Sequence, residues 1–112
     1  MSTTHTGREA ENIVARELRK QGYEILGQNW RTRWCEIDII AKRRKRIYFV
    51  EVKYRKVALW GDGLDAITPK KVKQMTFAAE LWVNEHAWRH DTALLAASVR
   101  GTPPQVDALI EI

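Results

Sequence analysis

The spacing of apolar and polar positions divides the chain into seven elements. Ala10, Ile13, Val14, Ala15 and Leu18 recur at three- and four-residue intervals, which predicts an amphipathic helix over 7–21. Thr6 followed by Glu9 fits a capping box at its start. Gly22 fits the position just past its end, where a left-handed backbone closes a helix. Two short strand-like runs follow, YEILGQNW (23–30) and WCEIDIIA (34–41). The next run, RIYFVEVKY (46–54), is the richest in β-branched and aromatic residues, and a basic turn at 42–45 joins it to its predecessor as an antiparallel hairpin. Residues 57–67 carry two glycines two apart and predict an irregular loop. Thr68 before Pro69 marks a helix start. That helix runs to about His86, with Val72, Met75, Ala79, Trp82 and Val83 on its buried side. Residues 92–100 read as a strand by composition, 101–104 as a turn, and the alternating run 105–112 as the last strand. The order α, β, β, β, α, β, β predicts one α/β domain over 1–112, a small mixed sheet flanked by helices.

Composition narrows the class. The 112 residues are 45% hydrophobic, enough for one core and too few for a second domain. A core this small makes a homodimer the expectation. One cysteine excludes a disulfide framework and a cysteine-based zinc cluster. No apolar run reaches the roughly 18 residues of a membrane span, and MSTTHTGREAEN has no basic stretch followed by an apolar one. The expectation is a cytoplasmic protein with no membrane contact.

Charge changes the picture more. Lysine and arginine number 19 against 14 acidic residues, a formal charge of +5. The excess is concentrated in residues 31–73, which hold 13 bases and five acids. A segment of that kind attracts a phosphate backbone, and Arg31, Arg33, Lys42, Arg43, Arg44, Arg46, Arg55, Lys70, Lys71 and Lys73 are its candidate nucleic-acid contacts. For the KRRKR run (42–46) alone, a solvated basic turn is the equal alternative.

The candidate chemistry lies within this basic middle. Side chains alternate along a strand, so Glu51 and Lys53 share one face of 46–54 while Val50, Val52 and Tyr54 share the other. Asp38 is flanked by Ile37 and Ile39, which face away from it, and a suitable hairpin register sets it beside Glu51. Two carboxylates at a strand centre are costly without a positive partner. Mg²⁺ or Mn²⁺ suits such hard oxygen donors. Lys53 would then orient water or stabilise charge on a phosphate, as in metal-assisted phosphodiester hydrolysis. Glu11, at the edge of the first helix's apolar face, is within reach of the same place. An E-x-K strand by itself is more often an ordinary ion pair.

The same residues carry a family resemblance over nearly the whole chain. GREAE with Ala15 (7–15), GYEILGQNWR (22–31), EIDIIA (36–41), FVEVKYR (49–55), Gly61, Lys70 and Val106–Asp107 stand in the order found in the YraN-like family of bacterial proteins. The chain resembles that family, which implies a restriction-endonuclease-like fold of the PD-(D/E)-x-K superfamily. The superfamily pattern falls on Asp38, Glu51 and Lys53, with Glu11 as the helical carboxylate. The resemblance implies metal held by Asp38, Glu51, the Val52 carbonyl and Glu11, and catalysis by these carboxylates with Lys53. The family is similar to archaeal Holliday-junction resolvases, which are dimeric and metal-dependent, and that likeness implies branched or structured DNA as substrate. Ile37 replaces the motif's proline, and Cys35 stands where the family has glycine, which predicts a local change in the turn.

For Trp30, Trp34 and Trp60, packing is the expected role and base stacking the alternative. Trp82 is expected in the core, Trp88 at the helix end or an interface, and Cys35 as a packing residue. His86 and His90 straddle the helix end and make a poor metal pair. The leading expectation is a Mg²⁺- or Mn²⁺-dependent DNA endonuclease. A non-catalytic nucleic-acid-binding module of the same fold is the alternative, and an assembly protein the third.

Overall fold

The computed structural model describes residues 5–55 and 67–112, with the side chains of 5 and 6 left out. The predicted order is the observed one: α1 (His5–Lys20), β1 (Glu24–Arg31), β2 (Glu36–Arg43), β3 (Arg46–Arg55), α2 (Pro69–His86), β4 (Asp91–Arg100) and β5 (Gln105–Glu111). The strands form one mixed sheet in the order β1-β2-β3-β4-β5. Among the described strands only the β3/β4 pair is parallel, and α2 lies in the connection between them.

Helix ends follow the local chemistry. Gly22 takes φ 93°, its N–H donates to the Arg19 carbonyl at 3.1 Å, and the Tyr23 N–H donates to the Leu18 carbonyl at 3.0 Å. These two bonds satisfy the last carbonyls of α1. At the start of α2 the Thr68 hydroxyl accepts from the Lys71 N–H at 3.1 Å, and Pro69 opens the first turn. Ala87 ends α2 in a left-handed conformation, and the Trp88 N–H caps the Val83 carbonyl at 3.1 Å. α1 begins at His5, so Thr6 lies in its first turn rather than ahead of it.

Alternation along the strands then gives the sheet two apolar faces. Ile39, Ala41, Tyr48, Val50, Leu95, Ala97 and Val99 pack beneath Ala10, Val14, Ala15 and Leu18 of α1. Ile37, Ile40, Ile47 and Phe49 pack on the other face beneath Ala78, Ala79 and Trp82 of α2. The alanines that weaken the strand signal of β4 suit this arrangement, because Ala96 and Ala97 are covered on a strand buried from both sides. On α2, Met75, Ala79 and Trp82 are buried as expected, Val72 and Val83 are half-buried, and Ala78 joins the core.

The strand bounds shift in one informative place. Pairing of β2 with β3 runs on to Arg43 opposite Arg46, so the expected four-residue turn shrinks to Arg44 and Lys45. Trp34 and Cys35 precede β2 instead of starting it. The expected loop at 57–67 falls, but for Ile67, outside the described residues, as do Lys56, Trp60 and Gly61.

Phe49 is fully buried and meets Trp82 edge-on, ring centroids 5.7 Å apart. Phe49→Ala removes that contact and leaves a cavity under α2. Urea unfolding should show a loss of about 3–5 kcal/mol, typical of a buried Phe→Ala.

Candidate active site

The β2/β3 ladder opens into a fork. Backbone pairing runs from Arg43/Arg46 to Ile39/Val50 and stops. The next partners in register would be Asp38 and Glu51. Instead, the Val52 N–H donates to Asp38 Oδ2 at 2.8 Å. A side-chain carboxylate thus takes the place of a backbone acceptor and leaves no buried N–H unpaired. Strict alternation ends here. Ile37 joins the α2-side cluster and Ile39 the α1-side cluster, so the expectation that both face away from Asp38 on one side does not hold. On the other side of β2, Asn29 sits at φ 54° between the pairs Gln28/Ile39 and Trp30/Ile37. Asn tolerates this left-handed conformation better than most residues.

Three buried carboxylates lie around the fork within electrostatic reach of one another. Asp38, Glu51 and Glu11 are only 8%, 7% and 6% exposed. Glu51 Oε2 lies 3.3 Å from Lys53 Nζ and 3.3 Å from Lys71 Nζ. Lys53 reaches it along its own strand face, as the alternation predicts, and Lys71 descends from the first turns of α2. Burial, and after it the neighbouring charge of Glu51, raise the pKa of Asp38 to about 7 against the opposing hydrogen bond from the Val52 N–H. Burial also raises Glu11, against a hydrogen bond from the Asn29 side chain, with Glu36 and Glu51 adding repulsion. Glu11 Oε1 is buried without a hydrogen-bond partner.

The donor set fits a divalent cation in part. Among the described residues no three Asp, Glu, His or Cys side chains converge into a ready cage. Mg²⁺ rarely needs one, since it binds through one or two carboxylates and keeps its waters. The unpartnered Glu11 oxygen and the unmatched charge on Asp38 are what such an ion would satisfy. Against this, Glu51 already holds two ammonium groups.

The predicted basic set divides between the two ends of the sheet. Lys53, Lys70, Lys71 and Lys73, with Arg31, Arg33 and Arg55, belong to segments that end or begin near the fork. Lys42, Arg43, Arg44 and Arg46 lie at the far end of the β2/β3 hairpin. Five residues of extended strand separate Asp38 from Arg43, roughly 17 Å. These four cannot contact the same phosphate as Lys53, so the candidate contacts form two separate groups. Sequence reasoning placed Lys71 among backbone contacts and missed its pairing with Glu51. It passed over Asn29, whose one signal was an Asn inside a strand.

The tryptophans also separate. Trp30 packs partly into the α2-side core. Trp34 does not pack: it is 68% exposed, with the Arg33 guanidinium 5.4 Å from its ring. Cys35 is half-buried, its sulfur 3.3 Å from the Thr32 hydroxyl, which also accepts from the Trp34 and Cys35 N–H groups. The turn at Trp34 and Cys35 is therefore held by Thr32.

The fold and the fork define a small α/β protein with a buried acid–lysine cluster where two strands part. Residues 10–99 match the model of the uncharacterised protein family UPF0102, and the chain belongs to that family, the YraN-like one. It is 33% identical over 112 residues to a UPF0102 protein of Pseudomonas aeruginosa, covering 95% of this chain and 90% of that one. A Parafrankia UPF0102 protein is 40% identical over 93 residues, 83% of this chain and 77% of the other. A Vibrio vulnificus UPF0102 protein is 37% identical over 82 residues, 73% and 67% of the two chains. No helix among the described residues is long and apolar enough to cross a membrane.

Asp38 also gives a pH signature. Its folded pKa lies above the unfolded value of about 3.9, so the native state binds the extra proton and stability falls as pH rises from about 4 to 7. Above that window the buried charge is a standing cost. In EDTA, Asp38→Asn should leave urea stability near parent at pH 4 and raise it on the order of 1–3 kcal/mol at pH 8. Equal stability of the two proteins at pH 8 would place the Asp38 pKa near its ordinary value.

Proposed function

We propose that the chain is a Mg²⁺- or Mn²⁺-dependent nuclease that hydrolyses phosphodiester bonds in DNA, with branched or structured DNA as the substrate class. One observation carries the reading. The Asp38 carboxylate, anchored by the Val52 N–H, stands at the strand fork beside Glu51, and Lys53 lies two residues on along the same strand face. The resemblance to the PD-(D/E)-x-K superfamily supports it.

Asp38 and Glu51, helped by the Val52 carbonyl and by Glu11, are the residues that would hold the ion. Bound there, it would supply Lewis acidity toward a phosphoryl oxygen and lower the pKa of the attacking water. The rest falls to the chain itself. Lys53 and Lys71 are tethered to Glu51, one-third exposed or less, and present N–H donors where charge develops on the phosphoryl group. Asn29 holds Glu11 toward the fork. Arg31, Arg33, Arg55, Lys70 and Lys73 offer contacts to flanking phosphates. Exposed Trp34, stacked against Arg33, offers a platform for an unpaired base, which favours a substrate with single-stranded character. A cytoplasmic homodimer completes the reading, on the small core and the resemblance.

A second reading has its own observation. Lys53 and Lys71 already neutralise Glu51, and Asp38 takes up a proton near neutral pH. The cluster can therefore stay folded with no metal, as a binding module would need. Cleavage of single-stranded, duplex, flapped and four-way-junction DNA in Mg²⁺, Mn²⁺ or EDTA separates the two. The parent protein should cut only with metal. Lys53→Ala should cut about 10²–10³-fold more slowly, with binding kept within a few-fold, and Asp38→Ala should not cut. Salt-sensitive binding with no cutting on any substrate would leave the binding module.

A further inference from the structure

The hairpin turn at the far end of the sheet is built against its own conformational preferences. Arg43 and Arg46 pair directly, so Arg44 and Lys45 alone make the turn. Arg44 takes φ 59°, a left-handed conformation that Asn or Gly adopts at lower cost. Arg43 and Arg46, like charges directly opposite on antiparallel strands, repel each other. Their long side chains are nonetheless ordered. The Arg43 guanidinium lies 4.2 Å from the Tyr23 ring, and both guanidiniums lie 5.9 Å from the Tyr48 ring. The two tyrosines meet edge-on at 5.0 Å, and Arg43 Nη1 donates to the Gln21 carbonyl at 3.5 Å. The result is an open cleft of about 280 Å³ lined by Arg43, Arg44, Lys45, Arg46, Tyr48 and Asp91. Arg19 and Lys20 in the last turn of α1 add to the same end. The counter-charges at this end include Asp91, Glu24 opposite Lys42, and an exposed Arg46–Glu111 pair at 3.5 Å.

We propose that the β2–β3 turn is a second nucleic-acid docking surface, separate from the carboxylate fork, which holds a phosphate backbone without reading its sequence. The inference rests on the nucleic-acid reading of the chain but not on cleavage. The repulsion between Arg43 and Arg46 is relieved when a polyanion lies along the turn. The cations form a row rather than converging on one point, and Asp91 within the cleft opposes a lone phosphate ion. An extended backbone passing over the turn meets the row and avoids the carboxylate. A lipid surface fits less well, since none of the large exposed apolar residues among those described (Leu26, Trp34, Phe77, Ile110 and Ile112) belongs to this turn. With the fork roughly 17 Å away along β2, the protein engages one substrate at two places, which favours DNA long or bent enough to reach both ends.

The test replaces the turn with a pair suited to a positive φ at the first position alone, Arg44→Gly with Lys45→Asn. Binding to a 30-base-pair duplex and to a four-way junction is measured in EDTA over a range of salt, beside a thermal melt. The variant should melt at a higher temperature than the parent and yet bind at least about tenfold more weakly. Its log Kd–log salt slope should be shallower by about two, for two lost phosphate contacts. Unchanged affinity and slope would overturn the proposal while leaving the fork's function standing. So would a lower melting temperature, which would make the turn cations structural. Unchanged DNA binding with lost binding to phosphatidylserine vesicles would replace DNA with a membrane. A parent protein that binds no DNA would overturn this proposal and the nucleic-acid reading together.

Discussion

The hydrogen bond from the Val52 amide to the Asp38 carboxylate is the constraint on which the rest of the molecule turns. In an uninterrupted ladder that amide would pair with a backbone carbonyl of β2. Because a side chain serves instead, β2 and β3 part without leaving a buried donor unpaired. Three consequences follow from the fork. Glu51 loses its neighbour across the ladder and is met by Lys71, which ties α2 to the sheet at that point. Ile37 turns to the α2 side and helps fill the core beneath Trp82. Asn29 takes a left-handed conformation, so that β1 stays paired with β2 on either side of the irregularity.

The electrostatics of the fork distinguish it from an ordinary buried ion pair. A stable buried pair satisfies its charges and its remaining lone pairs. Here three carboxylates face two ammonium groups, and both lysines contact the same oxygen of Glu51. Asp38 has one backbone N–H, and Glu11 keeps an oxygen with no partner. The imbalance sits on Asp38, whose pKa rises to about 7, and on Glu11, which rises with it. A cluster selected for stability alone would be better served by amides at both positions. Among the described residues the positive charge falls short, and a proton on Asp38 makes up part of the difference.

Much of this was legible in the sequence because it follows from local rules. The α1 stripe, Gly22 past its end, and Thr68–Pro69 before α2 are set by backbone chemistry within a few residues. The placing of Glu51 and Lys53 on one face follows from strand alternation. What escaped depends on contacts distant in sequence. Ile37 broke the alternation because Asp38 reaches across to β3. Lys71 met Glu51 only once α2 had folded back over the sheet. Trp34 was expected to pack, but the short turn held by Thr32 leaves its ring in solvent.

The basic segment shows the same limit in another form. Charge density along a chain does not reveal which charges stay together when a hairpin folds, and the dense run from 31 to 73 is divided by the length of β2. The division gives the two groups different physical states. Near the fork, Lys53 and Lys71 are spent against Glu51, so their charge is felt by a ligand only when that carboxylate is shared or neutralised. At the turn, Arg43 rests on tyrosine rings, which orient a guanidinium but do not cancel its charge, while Arg46 shares its charge with the exposed Glu111. On the proposed reading, long-range attraction of a polyanion would fall first to the turn, and the fork would act at short range once a phosphate displaced an existing ion pair.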